Sequence, residues 1–138
     1  MVIDRRLHPE GFAEIEAAVF PSPWTANAFL SESNRRYFSI WDEGQPVAYL
    51  AACAVLDETE LWRIAVLPQF RRRGLAQFLL HALIDSCKNE KGTVIFLEVS
   101  SRNTVAIRFY KKAGFLQDGC RSNYYGPGDD ALLMRLPI

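Results

Sequence analysis

The clearest pattern of apolar and polar positions follows Gly74. Apolar side chains recur there at helical spacing: Leu75, Phe78, Leu79, Ala82 and Leu83. This spacing predicts an amphipathic helix with one apolar face. The polar and glycine residues of NEKGT, at 89–93, supply helix stop signals, so we expect the helix to run to about residue 89.

Three other segments are predicted as helices from signals near their ends. Residues 9–20 begin with a proline, which is favoured in a first helical turn, and residues 23–33 contain Thr25 as a candidate N-cap. Residues 104–114 carry two lysines near their end and Gly114 as a candidate C-cap. These segments add two helices before the long helix and one after it.

The remaining apolar runs predict strands. They are residues 1–7, 36–42, 45–56, 61–67, 93–99, 115–121 and 130–136. Short turns at EGQ and DETE join the second, third and fourth strands, so these are predicted to be antiparallel neighbours. The run TVIFLEV, at 93–99, is almost entirely apolar, which is typical of a buried central strand. The turn-rich segment SNYYGPGD, at 122–129, is predicted as a loop.

This order of elements predicts an α+β fold with a mixed sheet. The strands at 61–67 and 93–99 flank the long helix, and the preference for right-handed crossovers makes them parallel neighbours. The chain has 138 residues, 49% of them hydrophobic, without a repeat or a linker. That length and content predict a single domain over residues 1–138 with one packed core.

Composition narrows the range of partners. Lys and Arg number 16, as do Asp and Glu, so zero net charge gives no global basis for binding nucleic acid or an anionic membrane. Cys53, Cys87 and Cys120 lack paired spacing, so we expect buried structural thiols in a reducing compartment. His8 and His81 lack ligand-spaced partners, so no metal site is expected. We therefore expect a soluble cytoplasmic protein without a membrane or nucleic-acid partner.

Arg71, Arg72 and Arg73 precede Gly74 at the start of the predicted long helix. A helix N-terminus carries a positive dipole end and about four unbonded N–H groups, so each cation there costs roughly 0.3–1 kcal/mol. A glycine turn in this position commonly cradles phosphate. The cluster therefore predicts a polyphosphate site. The alternatives are a solvated cationic cluster and a nucleic-acid patch, which would need interleaved aromatic residues or a basic domain.

Residues 71–76, RRRGLA, fit a known signature: Gln or Arg, two variable residues, Gly, one variable residue, then Gly or Ala. Together with LWRIAVLP before them and LEVSSRNTVAIRFYKKAGF after them, they resemble the GNAT family of acetyl-CoA-dependent N-acetyltransferases. From PWTANAF to LPI the chain is most similar to the RimI type of bacterial enzyme, which acetylates the N-terminal alanine of a ribosomal protein. The resemblance implies the GNAT fold, with helices on both faces of a mostly antiparallel sheet, and acetyl-CoA as cosubstrate.

The resemblance assigns acetyl-CoA contacts to three segments. The pyrophosphate would lie on the turn and the start of the helix: Arg71, Arg72, Arg73, Gly74, Leu75, Ala76 and Gln77. Backbone groups of Ile64, Ala65 and Val66 would pair with the pantetheine arm, commonly where a bulge separates two parallel strands. Asn103 matches an asparagine that contacts coenzyme A, and its residue type also suits a helix N-cap.

Glu98 and Tyr110 are the candidate catalytic residues. Glu98 brings a carboxylate to the end of an apolar strand, and the resemblance makes it the general base for the acceptor amine, acting directly or through water. Tyr110 matches a tyrosine beside the coenzyme sulfur that protonates the departing thiolate. Taken as residue types alone, they equally fit a solvent-facing glutamate and a core tyrosine.

Other residues bear on the acceptor. Tyr124 and Tyr125 could line its groove or close the core. Arg63 stands where RimI-like sequences often carry a neutral polar residue, and a cation there would repel an ammonium and attract an acidic acceptor. Three preceding acidic residues could offset this charge: Asp57, Glu58 and Glu60. The alternatives to a ribosomal N-terminus are a small-molecule amine or amino acid as acceptor, and a non-catalytic acyl-CoA-binding module.

Overall fold

The structure is a computed structural model that describes residues 2–138. Within that range seven strands are present: β1 (Ile3–Asp4), β2 (Arg35–Asp42), β3 (Gln45–Val55), β4 (Glu58–Val66), β5 (Val94–Ser100), β6 (Leu116–Gly126) and β7 (Asp129–Pro137). The α-helices of the same range are α1 (Pro9–Val19), α2 (Leu75–Asn89) and α3 (Thr104–Lys112). None of these helices is long and apolar enough to cross a membrane. Residue 1, part of the predicted first strand, lies outside the described residues.

The strands form one sheet in the order β1-β2-β3-β4-β5-β7-β6. β4 and β5 are parallel, with Glu60 opposite Phe96, whereas the other neighbouring pairs among the described residues are antiparallel. The long helix α2 connects β4 to β5, as the crossover preference predicts. The predicted α+β class with a mixed, mostly antiparallel sheet is therefore confirmed.

Helices cover both faces of the sheet, which confirms the implied GNAT arrangement. Successive side chains of a strand point to opposite faces. On β3, Leu50 belongs to the apolar cluster under α2, whereas Tyr49 belongs to a second cluster that contains Phe12 of α1. α2 contributes buried leucines at helical spacing to the first cluster: Leu75, Leu79, Leu80 and Leu83. Burial of these two clusters is the main favourable term in folding.

The predicted helix at 23–33 is wrong. The structure has only the short 3-10 turn Ala26–Ala28 there, and Thr25 makes no side-chain cap hydrogen bond. The Tyr37 hydroxyl instead accepts a hydrogen bond from the Leu30 N–H (3.2 Å) and donates one to the Leu30 carbonyl (3.0 Å). These tertiary contacts satisfy the backbone outside a helix, so they outweigh the local helical preference.

The predicted loop at 122–129 is wrong for residues 122–126, because β6 continues through both tyrosines to Gly126, and only Pro127 and Gly128 form the turn to β7. The register of β6 against β7 shifts between Arg121 and Gly126, so the residues between them form a bulge. Asn123 lies in this bulge at φ 56, and its N–H donates to the Asp130 carboxylate (2.8 Å). The turn-forming side chains therefore bend the strand without ending it.

Two expectations about burial are corrected by the structure. Cys120 is exposed on β6, although Cys87 is buried and Cys53 is half-buried. β5 lies inside the sheet, but its burial alternates, so Leu97 is buried and Glu98 is only partly so. One face of β5 packs on the apolar core, and the other borders a cavity.

Two Leu→Ala substitutions test the placement of α2. Leu83 is 0% exposed in the core, whereas Leu56 is 97% exposed at the turn between β3 and β4. Leu83→Ala should lower the free energy of unfolding by about 2–5 kcal/mol because it removes buried methyl groups and leaves a cavity. Leu56→Ala should change it by less than about 0.5 kcal/mol. Urea unfolding followed by circular dichroism measures both, and equal losses would contradict the packing of α2.

Candidate active site

β4 and β5 separate in the middle of the sheet. Their parallel pairing ends at Glu60 and Phe96. The register of β4 against β3 shifts between Leu61 and Arg63, so Trp62 is the extra residue of a bulge. Beyond this point, the edge of β4 that faces β5 has no strand partner within residues 2–138.

A cavity of about 660 Å³, here called the central cavity, opens where the two strands separate. Eight residues that were singled out in the sequence line it together: Glu60, Arg63, Ile64, Glu98, Asn103, Tyr110, Tyr124 and Tyr125. The other two residues of the predicted pantetheine segment do not line this cavity. Ala65 is buried in the α1-side core, and Val66 borders a second cavity. Residues 2–138 contain no group of three His, Cys, Asp or Glu side chains placed to hold a metal ion.

The second cavity, here called the turn cavity, has a volume of about 270 Å³ and lies beside the turn before α2. Arg72 and Gly74 have φ values of 63° and 76°, so the chain turns through left-handed backbone there. A side-chain carbon added at Gly74 would have no atom within 4 Å. Six of the predicted pyrophosphate residues line this space: Arg71, Arg72, Gly74, Leu75, Ala76 and Gln77.

The turn carries positive charge that no acidic side chain of residues 2–138 balances through an ion pair. Arg71 donates to the Val66 carbonyl (3.3 Å), and Arg73 lies 5.0 Å from the centre of the Phe70 ring. The first turn of α2 has no acidic residue, and Gly74 supplies no side-chain cap. The unbonded N–H groups and the arginines therefore form a site suited to an anion.

Glu98 borders the central cavity from β5, with its side chain 26% exposed. Its Oε1 lies 3.5 Å from Nη2 of Arg121 on β6. Burial, and secondarily the negative charge of Glu98, raises the pKa of Tyr125 above its usual value. A carboxylate that borders a cavity of this size can accept a proton from a molecule bound there.

Tyr110 borders the same cavity from α3. Its ring contacts Phe109 and Phe115 edge-on, with centroid distances of 5.4 and 5.5 Å, and these contacts hold the ring in place. Burial raises the pKa of its hydroxyl to about 12. The phenol is therefore protonated at neutral pH and can donate its proton to a departing anion.

Asn103 fits both of the roles that its residue type and its family resemblance suggest. Its side-chain oxygen accepts a hydrogen bond from the Ala106 N–H (3.1 Å), so it is the N-cap of α3. It also lines the central cavity. The residue therefore fixes the start of the helix that carries Tyr110 and remains within reach of a ligand in the cavity.

Arg63 is paired with a carboxylate that the sequence analysis missed. Glu16 of α1 is fully buried, and its Oε1 lies 3.5 Å from Nη2 of Arg63. Glu16 also accepts hydrogen bonds from the Trp24 N–H (2.9 Å) and from the Tyr49 hydroxyl. It follows Phe12 by four residues, so the helical spacing placed it on the buried side of α1 and could have identified it.

The expected source of charge compensation for Arg63 is therefore wrong. None of the three acidic residues considered forms an ion pair with it in the described chain: Asp57, Glu58 and Glu60. The guanidinium also packs between two aromatic rings, at 4.4 Å from the centre of Phe20 and 4.5 Å from that of Trp24. This stacking and the Glu16 carboxylate fix the guanidinium in the wall of the central cavity.

Comparisons with known proteins agree with this architecture. The model of the acetyltransferase (GNAT) family matches residues 5–115. The chain is 37% identical over 129 residues to the [ribosomal protein bS18]-alanine N-acetyltransferase of Escherichia coli (strain K12). This alignment covers 90% of this chain and 87% of that protein. The crystal structure of the ribosomal-protein-S18-alanine N-acetyltransferase from Escherichia coli matches 99% of this chain and 93% of that chain, at 32% identity and a TM-score of 0.91. An aminoglycoside 6'-N-acetyltransferase complexed with coenzyme A shares the fold, with a TM-score of 0.81 at 14% identity over 99% of this chain and 97% of that chain.

A Gly→Val substitution at Gly74 tests the turn cavity as the acetyl-CoA site. Gly44 provides a matched control because it has a similar φ of 78° and equally open surroundings, at the turn between β2 and β3. Both variants place a β-branched residue in left-handed backbone, which costs about 1–2 kcal/mol. Only Gly74→Val should weaken acetyl-CoA binding, by about tenfold or more, because it distorts the N–H groups that face the anion. Isothermal titration calorimetry measures both, and unchanged affinity in Gly74→Val would refute the assignment.

Proposed function

The chain belongs to the acetyltransferase (GNAT) family, and from that premise we propose that it acetylates the α-amino group of an N-terminal alanine on a ribosomal protein. Its donor is acetyl-CoA, the cosubstrate of this family. The observation that carries the acceptor assignment is the similarity to the Escherichia coli enzyme, which extends over 90% of the chain. An enzyme with this acceptor would work in the cytoplasm, where ribosomal proteins are made.

The turn cavity fits the pyrophosphate of acetyl-CoA, which supplies an activated acetyl group as a thioester. The open space at Gly74 would let phosphate oxygens approach the backbone closely. The arginines would add charge-assisted hydrogen bonds. We assign this contact to seven residues: Arg71, Arg72, Arg73, Gly74, Leu75, Ala76 and Gln77.

The unpaired edge of β4 fits the pantetheine arm. Because β5 has separated from β4, the backbone groups at Ile64 and Val66 lack a strand partner on that side, whereas those of Ala65 between them face β3. A ligand chain lying along this edge would recover the missing hydrogen bonds. A free N–H there would also stabilise negative charge on the thioester oxygen during the reaction. Asn103 would contact the same ligand at the start of α3.

Glu98 is the proposed general base. It would remove a proton from the acceptor amine, so that the nitrogen lone pair can attack the carbonyl carbon of the thioester. The ion pair with Arg121 would restrain the carboxylate before the acceptor arrives. Its position in the wall of the central cavity, where β4 and β5 have separated, supports the role.

Tyr110 is the proposed general acid. When the carbon–nitrogen bond has formed, the carbon–sulfur bond breaks and the sulfur leaves as a thiolate. The thiolate takes the proton of the Tyr110 hydroxyl, which burial keeps protonated at neutral pH. The nitrogen still carries one proton more than the amide product, and it loses this proton to solvent. The proton held by Glu98 is then returned to Tyr110 through solvent, so that both residues regain their starting forms.

Substitution of the two proposed catalytic groups should separate chemistry from binding. Glu98→Gln and Tyr110→Phe should each lower turnover by about 10²–10⁴-fold, and their affinities for acetyl-CoA should change little. Glu58→Gln, on the exposed start of β4, is the matched control and should retain full turnover. Turnover is measured by release of the coenzyme A thiol and affinity by calorimetry. Full turnover in Glu98→Gln or Tyr110→Phe would remove that residue from the mechanism.

The acceptor is tested by direct competition. Equal concentrations of an Ala-initiated ribosomal peptide, a peptide whose only amine is a lysine side chain, and a polyamine are offered with limiting acetyl-CoA. We expect the Ala-initiated peptide to take most of the acetyl groups, as measured by mass spectrometry. Preferential acetylation of the polyamine or the lysine would overturn the N-terminal acceptor and leave the acetyl-transfer chemistry in place.

A further inference from the structure

Two carboxylates line the central cavity, and only one of them has a cationic partner. Glu98 is paired with Arg121. Glu60 accepts a hydrogen bond from the neutral indole N–H of Trp62 and has no ion pair within residues 2–138. Glu60 therefore brings an unbalanced negative charge to the wall of this cavity.

The two arginines that pack on the tryptophans of this wall, Arg35 and Arg63, do not supply the missing charge, because each is paired with another carboxylate. Arg63 faces Glu16 at 3.5 Å. Arg35 lies over the Trp62 ring at 4.3 Å, and its Nη2 is 3.5 Å from Glu32. The net charge at this wall is thus negative, although the net charge of the whole chain is zero.

The register of β4 and β5 places Glu60 about two strand positions away from Glu98. In the parallel pair, Glu60 is opposite Phe96, and Glu98 is two residues further along β5 on the same face of the sheet. Two residues of a strand span about 7 Å. An amine held at Glu98 would therefore leave the next side chain of an extended peptide within reach of Glu60.

The surrounding walls suit a long basic side chain. Trp24 and Trp62 contact each other edge-on at 6.0 Å between ring centres, and both line the central cavity. Guanidinium groups already pack on both rings from within the protein. Aromatic walls of this kind accept the apolar stem of lysine or arginine and attract its cationic end.

From this placement we propose that Glu60 is a specificity-determining residue that favours acceptors with a basic side chain directly after the N-terminal residue. The inference rests on the proposed function, since it requires a peptide acceptor. Arg63 alone led us to expect an acidic acceptor. This expectation is reversed, because Glu16 balances the charge of Arg63 and the carboxylate without an ion-pair partner is that of Glu60. The expected preference is thus for a basic, and not an acidic, second residue.

Three peptides that differ only at the second position, Ala-Arg, Ala-Gln and Ala-Glu, provide the test. For the unsubstituted enzyme, kcat/KM should fall in that order, with about a threefold to tenfold step between arginine and glutamine. Glu60→Gln should bring the three values close together, and Glu60→Lys should favour Ala-Glu. Glu58→Gln, on the same strand outside the cavity, should keep the original order.

The two possible failures have different signatures. If Glu60→Gln acetylates the peptides with the same preference as the unsubstituted enzyme, the role of Glu60 is overturned and the proposed function stands. If the unsubstituted enzyme acetylates none of the peptides but acetylates a polyamine, the proposed function fails and the inference fails with it. Circular dichroism of each variant confirms that a change in preference comes from a folded protein.

Discussion

The end of pairing between β4 and β5 at Glu60 and Phe96 is the constraint on which the rest of the structure depends. Had the parallel pair continued, strand backbone would fill the space that the central cavity occupies, and β4 would have no free edge. Unpaired backbone groups are costly when buried. The bulge at Trp62 places them at an open cavity, where water or a ligand can satisfy them.

Features with a local cause could be read from the sequence, and features with a tertiary cause could not. The apolar spacing of α2 and the glycine before it are local, so both the helix and the glycine turn at its start were predicted. The strand course of Tyr124 and Tyr125 was missed because the pairing of β6 with β7, and not the local turn chemistry, decides it. The pairing of Glu16 with Arg63 joins residues 47 positions apart on different elements, and only the folded arrangement brings them together.

Glu16 connects the α1 side of the sheet to the electrostatics of the central cavity. A fully buried carboxylate is expensive unless donors surround it, and here a backbone N–H, a tyrosine hydroxyl and a guanidinium do so. Each member of this ion pair balances the charge of the other, since Arg63 without Glu16 would be an unbalanced cation in the cavity wall. An arginine at this position of β4 is therefore compatible with an amine acceptor only because α1 provides its counterion.

The bent course of β6 has a consequence for the behaviour of the molecule in a crowded solution. β6 forms one edge of the sheet, and its register against β7 shifts at two places. A long, regular strand edge can template pairing with a strand from another molecule. The shifts interrupt that template at one edge, and β1, at the other edge of the described sheet, is only two residues long. The tyrosine-bearing edge beside the cavity is therefore a poor template for edge-to-edge pairing between molecules.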